Sequence, residues 1–397
     1  MAANGGGIYC SGDEASIILT GSSGIKSNTA NGKGGGVFLT NGCQFNMFSG
    51  TTDTSNIIST EGIQRNNATE QGGGIYAELG AKVVLYGHEL CLPFGACVGD
   101  NINPVNINNN RSDSDSSGSE RGGGIYLTGL GTTTEIYAGL IESNLSPNGA
   151  GIYVNDRASL SVARLSQECW DTVKCNYFHN NRSFTTGGAI QNDQGMVNIS
   201  SAYFEDNKGI AGSALYAFGA LSSNRIEGSV FNHNEHSSSV NSAYVIRAAV
   251  AAKVEVIHST FADNTVDNTA VFGISSNSEL KLFSTIIHDP TGVVIDVNPG
   301  TLIIDCVMAH ETASFTGSNV FLNDPDFIDR NNRDYHLSSN SLAIDVCDSS
   351  QGTIQFKDID FEDRGAENIS VTNINGPYDI GADETLGNDI IFKNDFE

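Results

Sequence analysis

The chain has 397 residues, with 46 acidic against 20 basic side chains, a formal charge of -26, 45 glycines and only 7 prolines. That charge excludes nucleic acid and anionic membrane as partners, because both repel a polyanion. No apolar run approaches the roughly 18 residues of a membrane span, so no membrane-spanning segment is expected.

The opening "MAANGGGIY" enters a Gly-rich word at once, without the apolar core of a signal peptide, so the chain is expected to begin inside a repeat. "GGGIY" stands at residues 5–9, 72–76 and 122–126, with "GGGVF" at 34–38, "GAGIY" at 149–153, "GGAI" at 187–190 and "GSALY" at 212–216. A phosphate-cradling loop would occur once and open a helix, and nothing after these words has helical period. Recurrence every few tens of residues predicts stacked repeats instead.

A second word, apolar-x-x-Asn, precedes the Gly words. It runs from Ile25–Asn28, Ile63–Asn66, Ile107–Asn110 and Ile141–Asn144 to Phe178–Asn181, Phe204–Asn207, Phe231–Asn234 and Phe261–Asn264. The acidic insertion "RSDSDSSGSE" (111–120) lengthens one of the spacers. Alternating stretches such as "VNISSAYF" and "VEVIHSTF" lead into the apolar residue and read as half-buried strands. Short strands separated by Asn and Gly corners cannot bury an apolar face alone; they must stack on copies of themselves. The expected fold is therefore all-β: a right-handed parallel β-helix over 1–322, a C-terminal capping segment over 323–385 and a tail over 386–397. Asn28, Asn66, Asn144, Asn181, Asn207, Asn234 and Asn264 should share one corner column, each taking the left-handed turn and bonding the next. The Gly triplet should supply a second, tight corner.

Two cysteine pairs close short loops of equal spacing, "CLPFGAC" (91–97) and "CWDTVKC" (169–175). Zinc would want closer cysteines or neighbouring His, so local disulfides Cys91–Cys97 and Cys169–Cys175 in an oxidising compartment are expected. Pairing of Cys10, Cys43, Cys306 and Cys347 is open at this point. The loops at 87–106 and 164–176 should project and wall a groove suited to an extended ligand such as glycan.

In a β-helix, equivalent residues on adjacent rungs form surface rows. The position before the Asn gives Asp206, His233 and Asp263, with His288 from "IIHD" (286–289) completing an alternating acid–imidazole row. Such a row can supply acid and base or hold a divalent cation such as calcium; it can equally be an exposed corner of paired charges. Beyond the Asn stand Arg182 and Lys208, able to neutralise a uronate carboxylate. Tyr177 and Tyr203 precede the core Phe and could stack on sugar rings. Ser229, Ser259 and Ser284 form another row, read as small core residues rather than nucleophiles.

"GGAI" paired with Phe-x-x-Asn resembles the repeats of chlamydial polymorphic outer membrane proteins, β-helical passengers that act as adhesins; no membrane β-barrel pattern follows them here. "DPDFIDRNNRDYHLSSNSLAIDVCD" (324–348) with "YDIGADE" (378–384) resembles the C-terminal region of secreted bacterial β-helix proteins of the choice-of-anchor Q type. "NDIIFKNDFE" (388–397) is similar to short tails of gammaproteobacterial secreted proteins, a sorting tag. These resemblances imply a secreted or cell-surface bacterial protein. The leading expectation is an adhesin-like binder of glycan or surface ligands; the alternative is a hydrolase or lyase acting on polysaccharide or esters through the Asp/His row.

Overall fold

Each Gly word opens a rung, and each rung carries three strands. In the computed structural model, residues 2–20, 23–48, 62–87, 104–113, 118–164, 174–235, 244–265, 270–289, 293–310, 317–348, 356–365 and 373–385 are described. In the first sheet Ile75–Glu78 lies in parallel between Val37–Thr40 and Ile125–Thr128. In the second, Lys82–Tyr86 lies between Gln44–Phe48 and Thr133–Tyr137. In the third, Tyr203–Glu205 lies between Tyr177–His179 and Val230–Asn232. Short strands just past the Asn corner, such as Asn67–Ala68 and Arg111–Ser112, form a narrow fourth strip. No α-helix occurs among the described residues. The architecture is a right-handed parallel β-helix, as the repeats predict.

Alternation sends one residue of each strand to the same core position on every rung, so like stacks on like. Phe178, Phe204, Phe231 and Phe261 pile face to face with centroids 4.6, 4.5 and 4.3 Å apart. Those distances are close to the inter-strand spacing itself.

The Gly words are structural. Gly72 turns with φ of +66°, and a Cβ there would lie 2.4 Å from the Ile75 carbonyl oxygen. A Cβ on Gly73 would lie 2.4 Å from the Arg111 backbone of the next rung. Neither position admits a side chain.

The Asn column forms as expected, with Asn110 also in it, and it is buried from Asn66 onward. From Asn66 onward each Asn accepts, on its Oδ1, the backbone N–H and the Nδ2 of the preceding Asn, as Asn207 does from Asn181 at 3.1 and 3.0 Å. The left-handed turn is made elsewhere than expected. Arg65, Asn109, Ser143, Asn180, Asp206, His233 and Asp263, each just before the Asn, have φ between 50 and 56°. The amide can then point inward along the ladder while its predecessor makes the bend.

The rung that ends at Asp289 breaks register. Phe261 pairs with Ile287 and Ala262 with His288, while Asp289 still takes the Asn place by accepting the Asn264 N–H and Nδ2. The left-handed corner residue is missing from this rung, so everything before Asp289 shifts by one. His288 therefore lies beside Ala262, not in the column of Asp263. Ser284 shifts likewise: Thr285, next to Ile286, falls beside Ser259. Ser229, Ser259 and Ser284 are all buried.

The capping segment lies along the side of the solenoid as well as against its last rungs. Its hairpin, Phe327–Asp329 with Asp334–Leu337, is antiparallel. Tyr335, Ile359 and Ala382 bury Val230 and Ala262, while Leu337, Ile344, Val346 and Ile380 bury Ile286 and Met308. Cys306–Cys347 ties the segment to the last coil, and Cys10–Cys43 ties the first two rungs. Cys175 is disulfide-bonded; Cys91, Cys97, Cys169 and the 386–397 tail lie outside the described residues.

Candidate functional site

The residue after the core Phe or Ile points out from the third sheet. On successive rungs this row reads Lys26, Gln64, Asn108, Glu142, His179, Glu205, Asn232, Ala262 and His288. The capping segment covers its upper end: His288 packs edge-on to Phe327 and its Nε2 lies 2.9 Å from Arg330. Below the segment's edge Asn108, Glu142 and His179 are half-exposed, whereas Gln64 is buried.

At that edge the charges converge. His179 sits between two carboxylates, its Nδ1 3.7 Å from Glu142 and its Nε2 3.5 Å from Asp206. The nearby His179 imidazole holds the Glu142 carboxyl below the usual range, against the opposing effect of burial. Asn108 donates to Glu142 at 3.2 Å. Glu205 is nearly buried and takes three partners: Lys174 at 2.5 Å, the Tyr177 hydroxyl at 2.9 Å and the Arg333 guanidinium. Lys174 rests over the rings of both Tyr177 and Tyr203, at 4.9 and 5.1 Å. Burial, with the Arg333 charge, lowers its ammonium to about 8.

The sequence-predicted residues divide among three strips. Asp206, His233 and Asp263 do occupy adjacent corner positions, and the reason is conformational: Asn, Asp and His tolerate the left-handed region better than most residues. The capping segment engages two of them. Arg333 reaches Asp206 at 2.9 Å, and Arg330 holds both Asp263 oxygens through Nε at 2.9 Å, with the Tyr335 hydroxyl at 3.1 Å. Burial would raise the Asp263 pKa, but the bonds from Arg330 outweigh it and hold the carboxyl low. His233 Nδ1 faces Asn232 Oδ1 at 3.0 Å. His288 is off the row. Tyr177 and Tyr203 share a face, as read from the sequence, yet Lys174 covers their rings. Arg182 and Lys208 pair as neighbours around the corner, where Lys208 meets Glu235 at 2.6 Å and Arg182 lies over Phe184.

Sequence reading missed Glu142, His179, Glu205 and Lys174. The signal for three of them was present, since "IESN", "FHNN" and "FEDN" place them at one position of the repeated word. Arg333 had no local signal.

A cavity of about 30 Å³ lies under the edge of the capping segment, lined by Lys174, Tyr203, Asn232, Arg333, His336 and Asp383. That holds a water or an ion but no sugar ring. Among the described residues, the His and acidic groups whose ligating atoms gather within 4.8 Å are His336, Asp360 and Asp383, not the corner row.

The Arg330 clamp predicts a modest effect on stability. Arg330→Ala should loosen the capping segment by about 1–2 kcal/mol, a figure discounted for partial exposure. Faster proteolysis within 323–385 alone would report it; unchanged cleavage would show that the clamp is idle.

Compared with known proteins, the chain matches no family model and no curated protein.

Proposed function

We propose that the protein is a secreted or surface-displayed binding protein for glycan, and that ligand lies on the open outer face of the third sheet. The observation that carries this is the half-exposed row Asn108, Glu142 and His179, ending at the Lys174–Arg333 ledge. Amide, carboxylate and imidazole groups one rung apart offer a line of donors and acceptors suited to successive hydroxyls. Two disulfides among the described residues agree with an oxidising compartment. No helix there is long and apolar enough to cross a membrane. Excess negative charge favours neutral or basic sugars over polyanions.

A glycan array followed by calorimetry tests the reading. His179→Ala and Glu142→Gln should each weaken the best ligand at least tenfold while leaving the unfolding midpoint unchanged. Retained affinity in both variants would move ligand off this face.

Lys174 favours a second reading, a hydrolase or lyase acting on polysaccharide or esters. An amine that deprotonates at about 8, beside Glu205 and Tyr177, can act as a base. Turnover, screened with calcium and with chelator, should then rise through pH 8 and vanish in Lys174→Met. Activity that survives this variant would reject Lys174 as the base.

A further inference from the structure

The capping segment contains a group of side chains that the glycan reading does not use. His336 lies on the hairpin strand Asp334–Leu337, Asp360 in the turn at 356–365 and Asp383 near the end of the described chain. One ligating atom from each gathers within 4.8 Å of the others.

His336 is oriented on both sides. Its Nδ1 is hydrogen-bonded to Asp334, and its Nε2 faces Asp360 at 2.6 Å. A carboxylate on Nδ1 fixes the ring so that Nε2 points at the remaining ligands and, once its proton is lost, offers them a lone pair, an arrangement that supports metal-bound imidazoles. Asp383 is more than nine-tenths buried. One of its oxygens accepts the Leu337 N–H at 2.8 Å. His336 and Asp383 also line the 30 Å³ cavity, which supplies room for a further, water ligand.

We propose that His336, Asp360 and Asp383 bind a divalent transition-metal ion, zinc being the best fit, with Asp334 as the positioning residue behind the imidazole. Three protein ligands, one of them imidazole, suit Zn²⁺ better than Ca²⁺, which takes six to eight oxygens. The metal replaces the proton shared between Nε2 and Asp360, so binding releases a proton. Because the ligands come from three separate stretches of the capping segment, the ion would staple that segment together.

The test uses the full chain stripped with chelator and dialysed at pH 7.5 against Zn²⁺, Mn²⁺ or Ca²⁺. One Zn²⁺ per chain should be retained, with a raised unfolding midpoint and slower proteolysis within 323–385. Asp360→Asn and Asp383→Asn should each weaken Zn²⁺ at least tenfold, and Asp334→Asn by about 10–100-fold. The absorption spectrum of Co²⁺ in the unaltered protein reads the site without any substitution, so a variant that fails to fold leaves the test intact. Four- or five-coordinate d–d bands are expected. A spectrum like that of aqueous Co²⁺, no retained Zn²⁺, preference for Ca²⁺, or equal retention by folded Asp360→Asn and Asp383→Asn would overturn the proposal.

Discussion

Asn207→Ala should destabilise the solenoid by about 3–5 kcal/mol, the largest single-residue effect expected in the coils. The Asn207 Nδ2 donates to the Phe178 carbonyl at 2.8 Å and to Asn234 Oδ1 at 3.0 Å, and its Oδ1 accepts two bonds from Asn181. Truncation strands the Asn181 backbone and side-chain N–H groups in the buried column. Each orphaned group costs about 1–3 kcal/mol. Asn207→Asp should do no better, because its second oxygen would face two acceptors. Urea unfolding followed by both circular dichroism and fluorescence measures the loss. A change under about 1 kcal/mol would mean that the ladder aligns the rungs without stabilising them.

That ladder was legible in the sequence because it is periodic. A buried amide must bond its copy one rung away, so the spacing of the copies repeats, and the pattern shows in the letters. The Gly words are legible for the same reason. What the letters hid was the exact geometry at each corner. The Asn looked like the left-handed residue, yet Asp206, His233 and Asp263 carry that turn. Their residue types, read from the sequence as chemistry, have a conformational explanation. Nor could alignment by Asp289 reveal that its rung lacks the corner residue and so displaces His288.

The candidate site was less legible than the coils, and the cause is sequence distance. Arg333 meets Asp206 across 127 residues, and Arg330 meets Asp263 across 67. Contacts of that kind depend on where the capping segment lies against the third sheet, which no repeated word encodes. The open row through Glu142 and His179 becomes a ledge only once that segment covers the rungs above it.

The end of the ladder gives the second large effect, and it depends on pH. Asp289 stands where an Asn would continue the column, buried, accepting the Asn264 N–H at 2.6 Å and Nδ2 at 3.0 Å. Burial, helped by the nearby Asp263 charge, raises its carboxyl to about 7 against the opposing bonds from Asn264. An unfolded Asp titrates near about 4, so the protonated residue supports the fold fully only below about pH 4. That support drains away as pH rises to about 7. Asp289→Asn removes the titration: one amide oxygen can accept both Asn264 bonds, as in every lower rung. The variant should match the parent near pH 4 and exceed it by about 2–4 kcal/mol at pH 8, from a shift of about three units at 1.36 kcal/mol each, discounted for relaxation. Asp358 and Asp379, at about 7, and Glu384, at about 8, shift in the same direction, whereas buried His258, held neutral, shifts in the opposite one. The absolute pH profile therefore mixes several groups. Subtracting the variant's profile from the parent's cancels those terms and leaves Asp289 alone. A difference that stays flat between pH 4 and 8 would mean that the carboxyl is ionised in the folded ladder, with its charge balanced by the Arg330 guanidinium that also holds Asp263.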